Sequence, residues 1–270
     1  MASHDILHEP VAIIGIACEY PGDIHSPIDF WHTLEQSRDV GSAIPSDRVD
    51  INSYFAHMLN KDNDGQLKKQ LFQRGYFLSA SQWDMFEPSF FDLSNETAAS
   101  IDPCHRLLML KFVHLLDDAG YTMEKIQGSR TSVHIAQLST DHAIITFRMK
   151  PEHLSRFQGA NTLRYNAPSR LSYHFNLQGS NRSIDIACAS SLQAVELALQ
   201  TLRTGTADMA VCGGVNSMYT AESCLHCSTM GTISPDGRSR SFSLDANGYA
   251  KGKKRSLKFF YEYSAMEFCS

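Results

Sequence analysis

The chain has 270 residues and a mass of 30.2 kDa, a size that suits one large domain or two small ones. Apolar residues make up 43% of it, which is enough for a sizeable core. The 24 basic and 29 acidic side chains give a net charge of −5, without the basic excess that is typical of nucleic-acid-binding proteins. The best apolar run, from Val11 to Cys18, is too short for a membrane span, which needs roughly 20 residues.

Seven cysteines are spread irregularly along the chain. They are Cys18, Cys104, Cys188, Cys212, Cys224, Cys227 and Cys269. An odd number at irregular spacing argues against a disulfide framework and favours reduced thiols, so we expect a cytoplasmic protein. The first residues lack the basic start and the apolar stretch of a secretory signal peptide, which agrees with this expectation.

The first predicted elements are a strand and a short helix. The apolar segment Pro10–Cys18 contains β-branched residues and predicts a strand that is buried on both faces. Ser26 and Pro27 predict the start of a helix that continues through Leu34, because a proline in the first turn loses no hydrogen bond. Residues 40–95 are rich in turn formers and predict mostly loop with short elements.

Helices and strands alternate in the middle of the chain. Apolar residues at three- and four-residue steps predict one long helix over Glu96–Ala119, with Gly120 as its C-terminal cap. The elements predicted after it are strand Thr131–Ala136, helix Ala167–Phe175, strand Ser183–Ala187, helix Ser190–Arg203 and strand Met209–Cys212. This alternation predicts an α/β fold with a largely parallel sheet. After Gly252 the sequence shows no periodicity that joins it to the preceding pattern.

Cys188 lies where the predicted strand Ser183–Ala187 gives way to the predicted helix that begins at Ser190. A cysteine at such a point lies beside unpaired N–H groups and the positive end of the helix dipole, and both favour a nucleophilic thiolate. The small neighbours Ala187, Ala189 and Ser190 would let a substrate approach the sulfur closely. The alternative is an inert buried cysteine, which is the commoner role of an unpaired cysteine.

The segment Asp185–Ser191, Asp-Ile-Ala-Cys-Ala-Ser-Ser, resembles the active-site cysteine motif of β-ketoacyl synthases, the condensing enzymes of fatty-acid and polyketide assembly. Other segments resemble blocks of polyketide ketosynthase domains and occur in the same order. They are Glu9–Gly22, Phe30–Trp31, Ile44–Arg48, Phe90–Ser94, Ile101–Leu108, Asn166–Tyr173, Gly213–Asn216, Ser234–Phe242 and Asp245–Gly252. The resemblance covers residues 9–252 and implies that Cys188 is the family nucleophile.

This resemblance also implies the thiolase-like fold, in which two similar α/β halves form one layered body. The chain is similar to the N-terminal half, so we expect a mostly parallel or mixed sheet with helices on both faces. We accordingly divide the chain into an N-terminal tail at 1–8, an incomplete ketosynthase domain at 9–252 and a divergent tail at 253–270. We interpret the last segment as the result of a truncated gene model, a retained intron or a frameshift, and a natural short isoform is the alternative.

The activity that the resemblance implies is acyl transfer from a thioester onto Cys188, followed by decarboxylative condensation with a malonyl-type unit. The acyl substrates travel on the phosphopantetheine arm of an acyl carrier protein, so we expect a carrier partner, no bound cofactor and no metal ion. A homodimer is expected from the family, and neither a nucleic acid nor a membrane is expected as a partner. The family's two catalytic histidines lie in its second half, and none of the twelve histidines here has the neighbours of those motifs. We therefore expect no condensation by this chain alone.

Two alternative functions stay open at this point. One is a non-catalytic truncated product that binds an acyl carrier or a full-length partner. The other is a thiolase-type acyltransferase that uses coenzyme A directly, although the blocks around Trp31, Arg106 and Ser234–Gly237 favour the synthases. Cys224 and Cys227 form a C-x-x-C pair, but no second ligand pair is spaced for a zinc site.

Overall fold

The computed structural model describes residues 10–45, 74–83, 85–139, 141–218, 220–253 and 257–264. Its strands are β1 Val11–Glu19, β2 Ser42–Ala43, β3 Arg74–Phe77, β4 Thr131–Ala136, β5 Asn181–Ile184, β6 Met209–Gly214, β7 Gly252–Lys253 and β8 Leu257–Ser264. Its α-helices are α1 Pro27–Glu35, α2 Ala80–Trp83, α3 Asn95–Ser100, α4 Pro103–Asp118, α5 Met123–Ile126, α6 Asp141–Phe147, α7 Gln158–Thr162, α8 Asn166–His174, α9 Ser190–Arg203 and α10 Ala221–Thr229. Short 3₁₀ turns lie at Pro88–Phe91, Pro151–His153 and Ala187–Ala189. None of the helices in these ranges is long and apolar enough to cross a membrane.

Five of the described strands form the central sheet, in the order β1-β8-β6-β4-β5. β4 runs parallel to β5 and β6, whereas β8 runs antiparallel to β6 and β1. The sheet is therefore mixed rather than largely parallel, and its parallel part includes the β5 edge. Ala136 pairs with Ile184 on one side and Gly214 on the other, so the carboxyl ends of β4, β5 and β6 meet at one place. A smaller sheet of β2, β3 and β7 lies apart from it.

Helices cover both faces of the central sheet, as the α/β prediction requires. On one face, Phe112 of α4 and Leu171 of α8 belong to the same buried cluster as Val211 of β6. On the other face, Ala194 of α9 is buried in one cluster with Ala210 of β6. The neighbours Ala210 and Val211 join opposite clusters because successive side chains of a strand point to opposite faces.

The long helix predicted over Glu96–Ala119 is two helices, α3 and α4, and this prediction is wrong at their junction. Pro103 has no N–H to donate, and a residue before proline is driven out of the helical region, as the extended backbone of Ile101 and the ψ of 124° at Asp102 show. Asp102 then caps α4, because its side chain accepts a bond from the N–H of Cys104 at 2.8 Å. The predicted end is correct, since Gly120 follows α4 with a φ of +71°.

The predicted first strand is present, but its burial differs from the prediction. β1 lies at an edge of the central sheet, and the side chain of Ile13 is 51% exposed. A strand at a sheet edge has a neighbour on one side only, so a continuous apolar sequence does not ensure burial on both faces. At the other edge, β5 ends at Ile184, three residues before the predicted end at Ala187.

The central sheet includes a strand from the C-terminal segment. β8 pairs with β1 from Val11 opposite Ser264 to Glu19 opposite Leu257, and it pairs with β6 along its other side. The sequence shows no periodicity that would join residues 257–264 to the fold, whereas the backbone of these residues hydrogen-bonds between two core strands. The domain boundary proposed at Gly252 follows the family blocks, and the hydrogen bonding of the sheet continues beyond it.

Candidate active site

Cys188 lies on the turn between β5 and α9, at the carboxyl end of the parallel strands. It is the middle residue of the 3₁₀ turn Ala187–Ala189, and the 14-residue helix α9 begins at Ser190. Its side chain is exposed. Ala189 at the N-cap makes no side-chain cap bond, and the N–H of Ser190 donates to the carbonyl of Ala187 within the preceding turn. The structure thus places the predicted nucleophile on the surface, beside a helix N-terminus.

Four other cysteines have side chains that the structure describes, and all four are less accessible than Cys188. Cys18, Cys104 and Cys212 are buried, and Cys227 is half-buried. The inert, buried alternative weighed for Cys188 does not agree with its exposure. Its chemical role as the nucleophile stays a prediction.

The turn that presents Cys188 has a strained backbone. Ala187 has a φ of +58°, a left-handed conformation that costs a residue with a Cβ about 1–2 kcal/mol. Ser190 is buried and bonds both sides of the turn: its Oγ accepts the N–H of Ile186 at 2.8 Å and donates to the carbonyl of Ala187 at 2.7 Å. Asp185 Oδ1 accepts the N–H of Ala187 at 3.2 Å. These three bonds hold the peptide groups next to Cys188.

An ion pair links this turn to two other segments. Arg164 Nη1 bonds to Asp185 Oδ2 and also donates to the carbonyl of Leu138, at 3.3 Å. The carbonyl of Arg164 accepts a bond from Ser183 Oγ at 3.2 Å. Arg164 therefore joins the end of β5 to the segment that follows β4.

Gly214 at the end of β6 lies very close to the first turn of α9. A Cβ at this position would lie 2.5 Å from Ser191 Oγ and 3.5 Å from the Cβ of Ala136. The first of these distances is shorter than a side chain tolerates, so a larger residue would force the Ser191 hydroxyl to move. The absence of a side chain at Gly214 lets α9 approach the sheet beside the cysteine turn.

A buried polar cluster lies beneath the same end of the sheet. The Gln137 side chain donates from Nε2 to Asp102 Oδ2 at 3.2 Å, and its Oε1 lies 3.2 Å from His105 Nε2. The backbone N–H of Gln137 donates to the carbonyl of Ile184 at 3.2 Å. Burial lowers the pKa of His105 to about 4, with Arg170 adding to this effect and Asp102 opposing it. His105 is therefore neutral at pH 7 and donates from Nε2 to the amide oxygen.

The sequence identified the cysteine but not its supports. The sequence indicates only that Ser190 is small, whereas in the structure its hydroxyl bridges the turn. No local pattern indicates the pairing of Arg164 with Asp185, because 21 residues separate them along the chain. A serine at the first position of a predicted helix is a signal that could have indicated the role of Ser190. Within the described residues no cluster of three or more His, Cys, Asp or Glu is placed to hold a metal ion.

The family model for the β-ketoacyl synthase N-terminal domain matches residues 8–253. The chain belongs to the β-ketoacyl synthase family. It is 34% identical over 266 residues to the hybrid PKS-NRPS synthetase lepA of Aspergillus flavus, and 35% identical over 252 residues to the highly reducing polyketide synthase ACTTS3 of Alternaria alternata. These alignments cover 97% and 92% of the chain but 6% and 10% of the two relatives, so the chain spans a small part of their length.

Solved ketosynthases share the fold of this family member. The ketosynthase from module 6 of the bacillaene synthase of Bacillus subtilis matches with a TM-score of 0.78 and 26% identity, over 94% of this chain and 40% of the other. The oxazolomycin ketosynthase domain OzmH KS7 of Streptomyces albus matches with a TM-score of 0.77 and 28% identity, over 94% and 42%. These matches confirm the resemblance to polyketide ketosynthases and the N-terminal half of a thiolase-like fold.

Proposed function

We propose that Cys188 accepts an acyl group from a thioester on the phosphopantetheine arm of an acyl carrier, as the first step of polyketide condensation. The observation that carries this proposal is the exposed Cys188 thiol on a strained turn at the start of α9, in a chain that belongs to the β-ketoacyl synthases. The names of the relatives, which are polyketide synthases, support the synthase branch rather than a thiolase that uses coenzyme A.

The transfer exchanges one thioester for another. Cys188 Sγ, as the thiolate, attacks the carbonyl carbon of the carrier thioester, and a new carbon–sulfur bond forms while the bond to the pantetheine sulfur breaks. The pantetheine leaves as a thiolate and takes up the proton that the cysteine lost. In the later condensation, a malonyl-type unit loses CO₂, its carbanion attacks the acyl carbon, and the Cys188 thiolate is released.

The test of acyl transfer uses a small acyl thioester and intact-protein mass spectrometry. The wild-type chain should gain one acyl group, the Cys188→Ala variant none, and the matched control Cys227→Ser the same single group as the wild type. Cys227 is a suitable control because it is the half-buried thiol among the described cysteines. An acyl adduct that persists in Cys188→Ala would contradict the proposal.

Condensation by the 270-residue chain itself is not expected, because none of its histidines has the neighbours of the two family motifs. One nucleophile cannot also supply the proton transfers and the stabilisation of the thioester oxygen. Acyl and malonyl carriers would be incubated with the purified chain and the products followed by mass spectrometry. Turnover at the rate of a complete synthase would refute this expectation, whereas slow acylation of Cys188 agrees with it.

Because none of the chain's histidines has the neighbours of the two family motifs, we also consider a second function. In this function the chain binds an acyl carrier or a complete ketosynthase without turnover. Retention of a carrier protein by the chain, with no acyl group on Cys188 after long incubation, would support this function instead. The transcript downstream of Gly252 offers a simple discrimination. An open frame that continues to both histidine motifs would support an enzyme of which this chain is one part.

A further inference from the structure

One of the hydrogen bonds of the cysteine turn is made by the Asp185 carboxylate, which is itself partly exposed to water. Asp185 Oδ1 accepts the N–H of Ala187, the residue with the strained φ of +58°. The Asp185 side chain is 31% exposed, so water competes for both of its oxygens. Ser190 holds the other bonds of the turn and is buried, so it is shielded from this competition.

Arg164 anchors this carboxylate. Its guanidinium pairs with the second oxygen of Asp185 and also donates to the carbonyl of Leu138, which follows β4. The backbone of Arg164 is fixed in turn by the hydroxyl of Ser183. A continuous path of hydrogen bonds thus runs from Leu138 through Arg164 and Asp185 to the N–H next to Cys188.

From this path we infer that Arg164 is a positioning residue for the Cys188 thiol. It touches neither the sulfur nor a substrate, and it acts through Asp185 by keeping Ala187 in the left-handed conformation that presents Cys188. The importance of Arg164 for catalysis rests on the proposed acyl transfer. Its effect on the position of Cys188 can be tested separately, with a reagent that is not a thioester.

The probe is iodoacetamide, with the alkylation rate of Cys188 followed by peptide mass mapping. Arg164→Gln and Asp185→Asn should each slow alkylation about fivefold, the rate equivalent of one half-exposed ion pair. The double variant should be no slower than either single variant, because the two residues act in one path. Arg130→Gln breaks the exposed pair with Asp208 and is the matched control, with the wild-type rate expected.

A rescue experiment separates positioning from a general structural role. Glycine adopts a positive φ without strain, so Ala187→Gly should make the turn independent of Arg164. The Arg164→Gln/Ala187→Gly variant should therefore react within about twofold of Ala187→Gly alone. Arg164→Lys, which keeps the charge, should recover part of the lost rate.

General loosening of the fold has the opposite signature. It would speed alkylation of the buried thiols Cys18 and Cys212, whereas the loss of positioning slows Cys188 alone. Three results would overturn the inference: Arg164→Gln reacting at the wild-type rate, Arg130→Gln slowing as much, or no rescue by glycine. If the wild type is alkylated at Cys188 but never acylated, the proposed function fails, and the alkylation series still decides the role of Arg164.

Discussion

Lys111 and Glu19 form an ion pair inside the protein, with 2.6 Å between Nζ and Oε2 and almost no exposed side-chain surface. Glu19 also accepts a bond from Gln82, and its Oε1 lies 2.8 Å from His25 Nδ1. Lys111 Nζ lies 3.1 Å from His114 Nδ1, and burial together with this positive charge lowers the pKa of His114. Such a pair contributes little net stability, but either charge left alone would be costly.

Replacing Lys111 by Met should therefore be strongly destabilising, because it leaves Glu19 charged and buried without its cation. We expect the free energy of unfolding to fall by about 3–5 kcal/mol, and the double variant Lys111→Met/Glu19→Gln to recover most of it. Arg148→Met, which breaks the exposed pair with Glu222, should cost less than about 1 kcal/mol. Urea unfolding measures all three, and a double variant as unstable as Lys111→Met would contradict this account.

The lowered pKa of His105 leads to a prediction of how the free energy of unfolding depends on pH. Burial lowers its pKa to about 4, so between pH 6.5 and about 4 the unfolded chain binds a proton that the folded chain does not. The contribution of His105 to the free energy of unfolding should therefore fall as the pH falls through this window, and below it this contribution changes no further. A shift of this size corresponds to about 3 kcal/mol for His105 alone.

The His105→Gln variant should lose that part of the pH dependence, because a glutamine amide donates to Gln137 without titrating. Urea midpoints at pH 7 and pH 4.5 would differ less in this variant than in the wild type. His134 is also buried, with a pKa lowered to about 4, so a smaller slope of the same sign should persist. His153→Gln, at an exposed position, is the matched control and should keep the full slope. Equal slopes in wild type and His105→Gln would show that this histidine does not titrate on unfolding.

At the scale of elements, β8 joins β1 to the other three strands of the central sheet. Among the described strands, β8 is the partner of β1 in this sheet, and it also covers one side of β6. A chain that stops after Gly252 leaves β1 without a partner strand and β6 with an open edge, and each loses a ladder of backbone hydrogen bonds. A chain that stops after Ser264 keeps both ladders.

The two truncated chains should therefore behave differently. The chain ending at Ser264 should melt at the temperature of the full chain, and the chain ending at Gly252 should lose its cooperative transition or melt at least about 5 °C lower. Circular dichroism during heating distinguishes them. Equal melting temperatures would show that β8 does not stabilise the sheet.

The same elements show how much of the fold can be predicted from the sequence. Local patterns predicted β4 and α9 with the bounds that the structure has, because hydrophobic periodicity and a clear helix start suffice there. Pro103 is also a local signal, and it indicates a helix break more strongly than the hydrophobic periodicity of Glu96–Ala119 indicates one continuous helix. The pairing of β8 between β1 and β6 joins segments about 240 residues apart along the chain, and no local pattern encodes such a contact.

The candidate site shows the same limit. Cys188 was predicted from the strand-to-helix turn and from the family motif, both of which are local. The strained φ of Ala187 was not, because alanine carries no sequence signal for a left-handed backbone. The bond between Arg164 and Asp185 depends on how two loops meet after the sheet has formed. Sequence therefore predicted the candidate nucleophile, whereas the hydrogen-bond partners of its turn could be found only in the structure.

At the scale of the whole molecule, large apolar side chains are exposed around the cysteine turn. Leu192 is 75% exposed in the first turn of α9, and Ile186 is 50% exposed on the cysteine turn itself. β5 lies at the edge of the central sheet, with residues 181–183 exposed. An apolar surface costs roughly 25 cal/mol per Å² left in water, and an unpaired strand edge can bind another strand. The resemblance to the family implies a homodimer, and we expect the edge strand β5 to be the strand that pairs with a second copy.

The purified chain should therefore be a dimer or a larger assembly, or poorly soluble, rather than a monomer. Size-exclusion chromatography with light scattering gives the mass directly. Leu192→Glu places a charge next to the proposed contact and should shift the chain toward the monomer, because burying an unpaired carboxylate in an interface is costly. Leu244→Glu changes an equally apolar and fully exposed residue in a distant segment of the sequence, and it should leave the mass unchanged. A wild-type chain that runs as a monodisperse monomer with a cooperative melt would show that this exposed face needs no partner, and that the 270 residues close their own core.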